Sequence, residues 1–182
     1  MPNWCSNYVD IKTNDPELFQ AMLKRIETAR EAKDHYQGFF QGFIPCPDEL
    51  LDDDLTTWGH GDEQIARDAK KAAMVEKYGY PSWYDWRIEK WGTKWDVRDI
   101  EGDSVADGSL IQIQFDTAWS PPIPIFEEMK RLGYHVEAQY IDEGGFFVGD
   151  WIDGVDNSYS CDKAPEHLEH LCHRWDDEDD AA

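Results

Sequence analysis

Residues 109–117 have the sequence SLIQIQFDT, and they decide the fold class because apolar and polar side chains alternate along them. Such alternation is typical of a strand with one buried face and one face toward solvent. Residues 7–13 (NYVDIKT) and 135–142 (HVEAQYID) alternate in the same way. Residues 146–153 follow a Gly-Gly turn and are predicted to return as a hairpin partner.

Helix signals fill the intervals between these strands. After the first strand, Asn14 or Asp15 is expected to cap a helix that runs to about residue 32, and Pro16 suits its first position. Further helices are predicted at residues 62–78, in the first half of residues 82–100, and at residues 125–132 and 165–173. In the helix at residues 62–78, the predicted inward face consists of Ile65, Ala69, Ala72 and Val75.

The order β-α-(insert)-β-α-β-β predicts an α+β fold, in which helices cover one face of an antiparallel sheet. Glycine and proline interrupt residues 36–62, so a helical and irregular insert is expected at about residues 36–100. With 182 residues, the chain is long enough to bury a core without disulfides.

The charge of the chain limits its partners. Acidic residues outnumber basic residues by 39 to 17, which gives a formal net charge of −22. Such a charge repels nucleic-acid phosphates and anionic lipids, so direct binding to nucleic acid or to a membrane is disfavoured. The expected partners are therefore cations, metal ions or basic protein surfaces. Half of the charge, −11, lies in residues 141–182, where thirteen acidic residues accompany two basic ones.

Two interpretations of these acids remain open. They can serve solubility, with the last residues forming a disordered tail. Alternatively, they form an acidic face that imitates the phosphates of nucleic acid and occupies a basic groove of another protein. The candidate residues for partner binding are Asp52, Asp53, Asp54, Asp142, Glu143, Asp150 and Asp153.

The cysteines and the N-terminus indicate the compartment. Cys5, Cys46, Cys161 and Cys172 have neither the spacing of a disulfide framework nor that of a CxxC zinc site. The N-terminus lacks the basic and apolar regions of a signal peptide, and no apolar stretch approaches the roughly 20 residues of a membrane span. We therefore expect reduced thiols and a cytoplasmic location.

Five short motifs have an unusual composition: MPNWCSN at residues 1–7, PCPDEL at 45–50, WGTKWD at 91–96, TAWSPP at 117–122 and YIDEGGFFVG at 140–149. Together they resemble the YubB-like family of phage and plasmid proteins with a ferredoxin-like domain. The resemblance implies a ferredoxin-like sandwich at residues 1–155, followed by an acidic C-terminal extension at 156–182. It also implies a mobile-element origin and a host cytoplasm, and it supplies no catalytic residue and no cofactor. The cysteine spacing does not fit an iron–sulfur cluster.

The same motifs contain the candidate ligand-binding residues. A pocket walled by indoles with a few polar groups is predicted where the motifs converge at one end of the sheet. In the alternative, the indoles belong to the core and Lys94 forms a structural ion pair with Asp96 or Asp116. The candidates are Trp4, Trp91, Lys94, Trp95, Asp96, Asp116 and Trp119.

The C-terminal segment has side chains that are suited to zinc. His167 and His170 lie three residues apart and share a helix face, and cysteine thiolates complete the usual donor types. The spacing matches no standard zinc finger, so an exposed helix with two ordinary thiols is the alternative. The candidate metal ligands are Cys161, His167, His170 and Cys172.

Three functions follow from these features. The leading hypothesis is a non-enzymatic interaction protein from a phage or plasmid that binds a basic surface of a host protein. In this role it would act as a nucleic-acid mimic that inhibits a host defence system. The alternative is a small-molecule or metal-binding domain, or an enzyme, that uses the Trp-lined pocket. The third is single-strand binding by exposed aromatics beside the basic strip of Arg87, Lys90, Lys94 and Arg98.

Overall fold

The computed structural model describes residues 3–32, 38–104 and 109–172. The predicted alternation forms strands in which every second residue is buried, as in β1, where the buried positions run from Cys5 to Ile11. The strands are β1 (Trp4–Lys12), β2 (Glu101–Ser104), β3 (Leu110–Ala118), β4 (His135–Asp142), β5 (Val148–Ile152) and β6 (Val155–Tyr159).

The first helix begins at the predicted cap. The Asp15 carboxylate accepts hydrogen bonds from the backbone N–H groups of Glu17 and Leu18, and Pro16 opens the first turn. The helices are α1 (Pro16–Glu31), α2 (Asp62–Tyr78), α3 (Trp83–Trp91), α4 (Ile123–Arg131) and α5 (Glu166–Cys172). Short 3₁₀ helices occupy Asp48–Leu51, Asp53–Leu55 and Cys161–Lys163.

The strands of the described residues form one sheet in the order β2-β3-β1-β4-β5-β6, and each neighbouring pair is antiparallel. The chain order β1-α1-β2-β3-α4-β4 with β1 between β3 and β4 is the β-α-β-β-α-β arrangement of a ferredoxin-like fold. The predicted α+β class is therefore confirmed, and β5 and β6 extend the sheet beyond β4.

The main core lies between one face of the sheet and two helices. Phe19, Met22 and Ile26 of α1 and Phe126 and Met129 of α4 join the inward residues of β1 in a single buried cluster. Burying each of these side chains contributes on the order of 2 kcal/mol. These helices therefore fix the positions of the central strands.

The insert adds α2 and α3 before β2, and the predicted inward face of α2 is wrong. Ile65 and Val75 are 68% and 46% exposed, and no described residue of α2 is fully buried. The face toward the rest of the protein contains Arg67, Lys70 and Met74 instead. Because α2 packs partly on the charged segment at residues 52–54, charged side chains share its inward face with Met74, and no continuous apolar stripe marks that face.

The opposite face of the sheet is partly covered by α5. Leu168 and Leu171 of α5 pack against Ile141 and Val148, which point away from the main core. Thus β6 and α5, which lie in the predicted C-terminal extension, complete the same sheet and its second small core. The predicted acidic tail beyond residue 172 lies outside the described residues. Every helix in the described part of the chain is too short or too polar to cross a bilayer.

Candidate functional site

The separated motifs meet at one end of the sheet. Trp4 at the start of β1 pairs with Ala118 at the end of β3, and the adjacent Cys5 pairs with Asp142 at the end of β4. The WGTKWD motif joins them through Thr93, whose hydroxyl donates to the carbonyl of Ala118 at 3.0 Å. The predicted convergence therefore follows from antiparallel pairing around β1.

A cavity of about 480 Å³ opens within this motif cluster, and it lies within the range of ordinary ligand sites. Its aromatic wall is the pair Trp4 and Trp95, both half-buried, with ring centroids 5.6 Å apart and planes tilted by 39°. The complete lining is Trp4, Trp95, Asp96, Val97, Arg98, Asp99, Asp116, Thr117 and Ala118. Four of the seven predicted ligand-binding residues thus share one cavity.

Trp91 does not belong to this cavity. It is fully buried, packs against Phe40 and Trp86, and donates its indole N–H to the carbonyl of Ile44 at 2.8 Å. A buried indole with a satisfied N–H is a core residue, so the assignment of Trp91 to the pocket wall is wrong.

Lys94 lies between two indoles rather than in an ion pair. Its ammonium is 4.0 Å from the ring centroid of Trp95 and 4.9 Å from that of Trp119. Among the described residues, no ion pair joins Lys94 to Asp96 or Asp116. The contacts are cation–π interactions, which hold the ammonium beside the cavity.

Trp119 adopts a backbone conformation that is rare for residues other than glycine. Its φ of 74° lies in the left-handed region, and its backbone N–H donates to the carbonyl of Asn3 at 2.9 Å. The side chain is 40% exposed and also meets the ring of Tyr84. The strained backbone therefore holds an indole at the surface next to Lys94.

Asp96 stabilises a turn of the insert. Its carboxylate accepts hydrogen bonds from the N–H groups of Phe40 at 2.6 Å, Val97 at 2.8 Å and Gln41 at 3.0 Å. Burial nevertheless raises the pKa of Asp96 above its usual value, against the lowering effect of these bonds. Asp96 thus borders the cavity mainly as a structural group.

Asp116 is the accessible carboxylate of the cavity. It is exposed on β3, and its Oδ1 accepts a hydrogen bond from the Ser6 hydroxyl at 2.8 Å. Within the described part of the chain, its Oδ2 has no hydrogen-bond partner. One oxygen is therefore oriented by the protein while the other remains available to a ligand.

The acidic run at residues 52–54 does not form an open acidic face. Lys70 of α2 pairs with Asp52, and the Nη2 atom of Arg67 lies 3.6 Å from Oδ1 of Asp54. Asp53, between them, is exposed. Asp52 and Asp54 thus link α2 to the preceding 3₁₀ segment, which contradicts their assignment to partner binding, whereas the assignment of Asp53 stays a prediction.

Two further acidic candidates are buried. Asp142 accepts the backbone N–H of Gly144 at 2.9 Å, and Asp150 accepts a hydrogen bond from Asn157 at 2.8 Å. Buried carboxylates with internal donors are not available to a partner, so their assignment to an acidic face is wrong. Of the remaining candidates, Glu143 is exposed, and Asp153 is exposed but lies 3.5 Å from the Lys130 ammonium.

Of the four metal candidates, Cys161 and Cys172 lie within hydrogen-bonding reach of each other, but the two histidines do not join them in the described residues. His167 contacts the buried Asp150 at 2.7 Å, whereas His170 is exposed on α5. Cys161 and Cys172 both pack against the small core under α5. No group of three or more His, Cys, Asp or Glu side chains suited to a metal ion forms in the described ranges.

The predicted basic strip is interrupted. Arg87 is buried, and its guanidinium lies 4.4 Å from the ring centroid of Trp91 and 5.2 Å from that of Trp83. The remaining Lys90, Lys94 and Arg98 alternate with acidic residues at 89, 96 and 99. This arrangement does not provide the continuous basic groove that single-strand binding requires.

The structure reveals an acidic surface that the residues predicted for partner binding did not include. Opposite the main core, β1, β2 and β3 direct carboxylates and amides to the same side, and these positions are half-buried or exposed. We call this surface the acidic sheet face; its members are Asp10, Glu101, Asp103, Gln112, Gln114 and Asp116. The alternation in residues 109–117 was the available signal, because it separates Gln112, Gln114 and Asp116 from the buried residues.

Comparisons with known proteins identify the family. The family model described as "Ferredoxin-like domain in Api92-like protein" matches residues 90–180. The chain belongs to this family of Api92-like proteins. A crystal structure of protein api92 from Yersinia pseudotuberculosis is similar, with 12% sequence identity, a TM-score of 0.49, and coverage of 91% of this chain and 100% of that chain. No curated protein matched. The ferredoxin-like domain implied by the resemblance is therefore confirmed for this Api92-like protein, whereas its phage and plasmid origin stays a prediction.

Proposed function

We propose that this protein is a non-enzymatic interaction protein that binds a basic surface of another protein. The observation that supports this function is the acidic sheet face, which places four carboxylates on strands at the accessible side of the sheet. Strands hold these groups in fixed relative positions, so the surface needs little ordering when a partner binds.

The charge balance of this surface favours a cationic partner. Lys12 is the basic residue of β1 on the same side, and its ammonium is already paired with Glu137 at 2.8 Å. A net charge of −22 adds a long-range attraction that raises the association rate with a basic protein. Both features also repel phosphate groups, as expected from the sequence.

The resemblance to phage and plasmid proteins extends the proposal. A rigid acidic surface in a host cytoplasm is suited to occupying the basic groove of a nucleic-acid-binding protein, including a nuclease of a host defence system. In this role the carboxylates take the place of phosphates.

Three of the four cysteines have a raised thiol pKa. Burial raises the thiol pKa of Cys5 well above its usual value, that of Cys46 to about 11 and that of Cys172 to about 12. A raised pKa disfavours the thiolate that attacks a substrate, so these three residues are poor nucleophiles.

The proposal is tested with a matched pair of charge variants. Asp10→Asn, Glu101→Gln and Asp103→Asn together remove three of the four negative charges of the acidic sheet face, and Asp62→Asn, Glu63→Gln and Glu76→Gln remove the same charge from α2. Binding of a fluorescent arginine-rich peptide is measured by anisotropy between 50 and 300 mM NaCl. We expect about tenfold weaker binding for the first variant and a small change for the second, together with a steep loss with salt. Equal loss in both variants would show that only total charge matters and would overturn the proposal.

A further inference from the structure

The aromatic wall of the cavity is a surface rather than a slot. With centroids 5.6 Å apart, Trp4 and Trp95 contact each other, so no group fits between the two rings. Their remaining exposed edges and faces line the cavity together with β3. A ligand therefore stacks against the pair from the cavity side.

The charged groups that line the cavity favour a cation. Asp96, Asp99 and Asp116 supply three carboxylates, whereas Arg98 supplies one guanidinium. In the exposed Asp116 carboxylate, Oδ1 accepts a hydrogen bond from the Ser6 hydroxyl, whereas Oδ2 has no hydrogen-bond partner among the described residues. A cationic group beside Asp116 would thus meet an oriented acceptor and a net negative environment.

The indoles of this cluster already attract one cation. The Lys94 ammonium lies 4.0 Å from the Trp95 ring centroid, yet Lys94 does not line the cavity. Trp95 thus lines the cavity, whereas the Lys94 ammonium that contacts its ring lies outside the lining. The cavity also adjoins the acidic sheet face, because Asp116 belongs to both.

We infer that this cavity binds an arginine side chain of the basic protein partner, an inference that rests on the proposed function. The guanidinium is planar, so it stacks on the wall of Trp4 and Trp95 while it donates hydrogen bonds to the Asp116 carboxylate. A lysine ammonium supplies a point charge without the flat surface. The cavity binds one particular arginine side chain, whereas the carboxylates of the acidic sheet face attract any basic surface.

The test uses three peptides that differ at one central position, where arginine, lysine or the neutral analogue citrulline is placed in an otherwise identical basic sequence. Wild type is expected to bind the arginine peptide about tenfold more tightly than the other two. Trp95→Ala and Asp116→Asn are each expected to abolish this preference. Trp95→Phe, which keeps an aromatic face, is expected to retain most of it.

Trp58→Ala is the matched control, because Trp58 is 90% exposed and lies outside the cavity. Thermal unfolding establishes that each variant is folded. Equal binding of the three peptides overturns the inference, and so does an arginine preference that survives Trp95→Ala. In either case the proposed function still stands if binding of the basic peptides depends on salt. Free arginine amide that binds as tightly as the peptide also overturns it, because the site would then serve a small molecule. If wild type binds no basic peptide at 50 mM NaCl, the proposed function fails as well.

Discussion

At the scale of single residues, burial decides what each acidic side chain does. Asp96, Asp142 and Asp150 resemble their exposed neighbours in sequence, yet each accepts hydrogen bonds inside the fold. A buried carboxylate without donors costs several kcal/mol, so such positions occur where backbone or side-chain donors converge. Residue type alone cannot distinguish these acids from Asp116, because the fold decides which carboxylates are buried; for Asp96, two of the donors lie in the distant turn at Phe40 and Gln41.

The three hydrogen bonds of Asp96 make a direct prediction. Asp96→Ala leaves the N–H groups of Phe40, Gln41 and Val97 without their acceptor, so the free energy of unfolding should fall by about 3 kcal/mol. Urea denaturation followed by tryptophan fluorescence measures the change. Asp99→Ala removes an exposed carboxylate from the same loop and should change the stability by less than about 0.5 kcal/mol. Similar losses in both variants would contradict the assigned role of Asp96.

At the scale of elements, helix length does not indicate helix importance. The α2 helix has 17 residues and no fully buried residue, whereas α5 has seven residues and buries Leu168 and Leu171. A helix of seven residues is unstable in isolation, so its contacts with the sheet must hold it in place. The stability of α5 and the order of the second small core therefore depend on each other.

This dependence predicts a large loss of stability when a buried side chain of α5 is truncated to alanine, and almost none when a side chain of similar size on the exposed side of α2 is truncated. Leu168→Ala should lower the free energy of unfolding by about 3 kcal/mol and increase amide hydrogen exchange throughout α5, because it leaves a cavity under a marginal helix. Ile65→Ala on the exposed side of α2 should be nearly neutral. Unchanged exchange in α5 after Leu168→Ala would show that α5 is held by other contacts.

The elements also show what the sequence could and could not predict. The strands β3 and β4 were predicted to within one residue, because one buried face imposes a regular alternation, whereas β1 begins three residues before its predicted start. The strand β2 (EGDS) has no such pattern, and Gly102, at φ 101°, lies so close to Gln112 that a Cβ there would meet its carbonyl oxygen. Edge strand β6 buries little, so no apolar period marked it. Backbone pairing, which is invisible in composition, determines both strands.

At the scale of the whole molecule, the candidate site is partly predictable. A central β1 with antiparallel neighbours places its start beside the ends of β3 and β4, so the MPNWCSN, TAWSPP and YIDEGG motifs had to meet. The cavity itself depends on the loop after α3, which brings Trp95 against Trp4 and buries Trp91. Which of two indoles four residues apart faces a cavity is decided by tertiary packing.

The net charge of −22 makes a last prediction for the molecule as a whole. Repulsion among the acids opposes folding, and salt screens it, so the unfolding midpoint at pH 7 should rise by about 3 °C or more between 25 and 500 mM NaCl. Salt also weakens surface pairs such as Lys12–Glu137 and Lys77–Glu49, but each contributes less than about 1 kcal/mol. The repulsive effect should therefore dominate.

Differential scanning calorimetry with NaCl measures this shift. The variant with Asp10→Asn, Glu101→Gln and Asp103→Asn lowers the negative charge and should show a higher midpoint at 25 mM NaCl and a smaller response to salt, because these acids share one sheet face on β1 and β2, which are separated only by β3. The α2 variant of equal charge should respond more like wild type, since Asp62, Glu63 and Glu76 face solvent on a separate helix. A midpoint that falls with salt in all three proteins would mean that ion pairs outweigh repulsion. Repulsion among the acids of the acidic sheet face would then not destabilise the fold, and a basic partner would relieve no such repulsion.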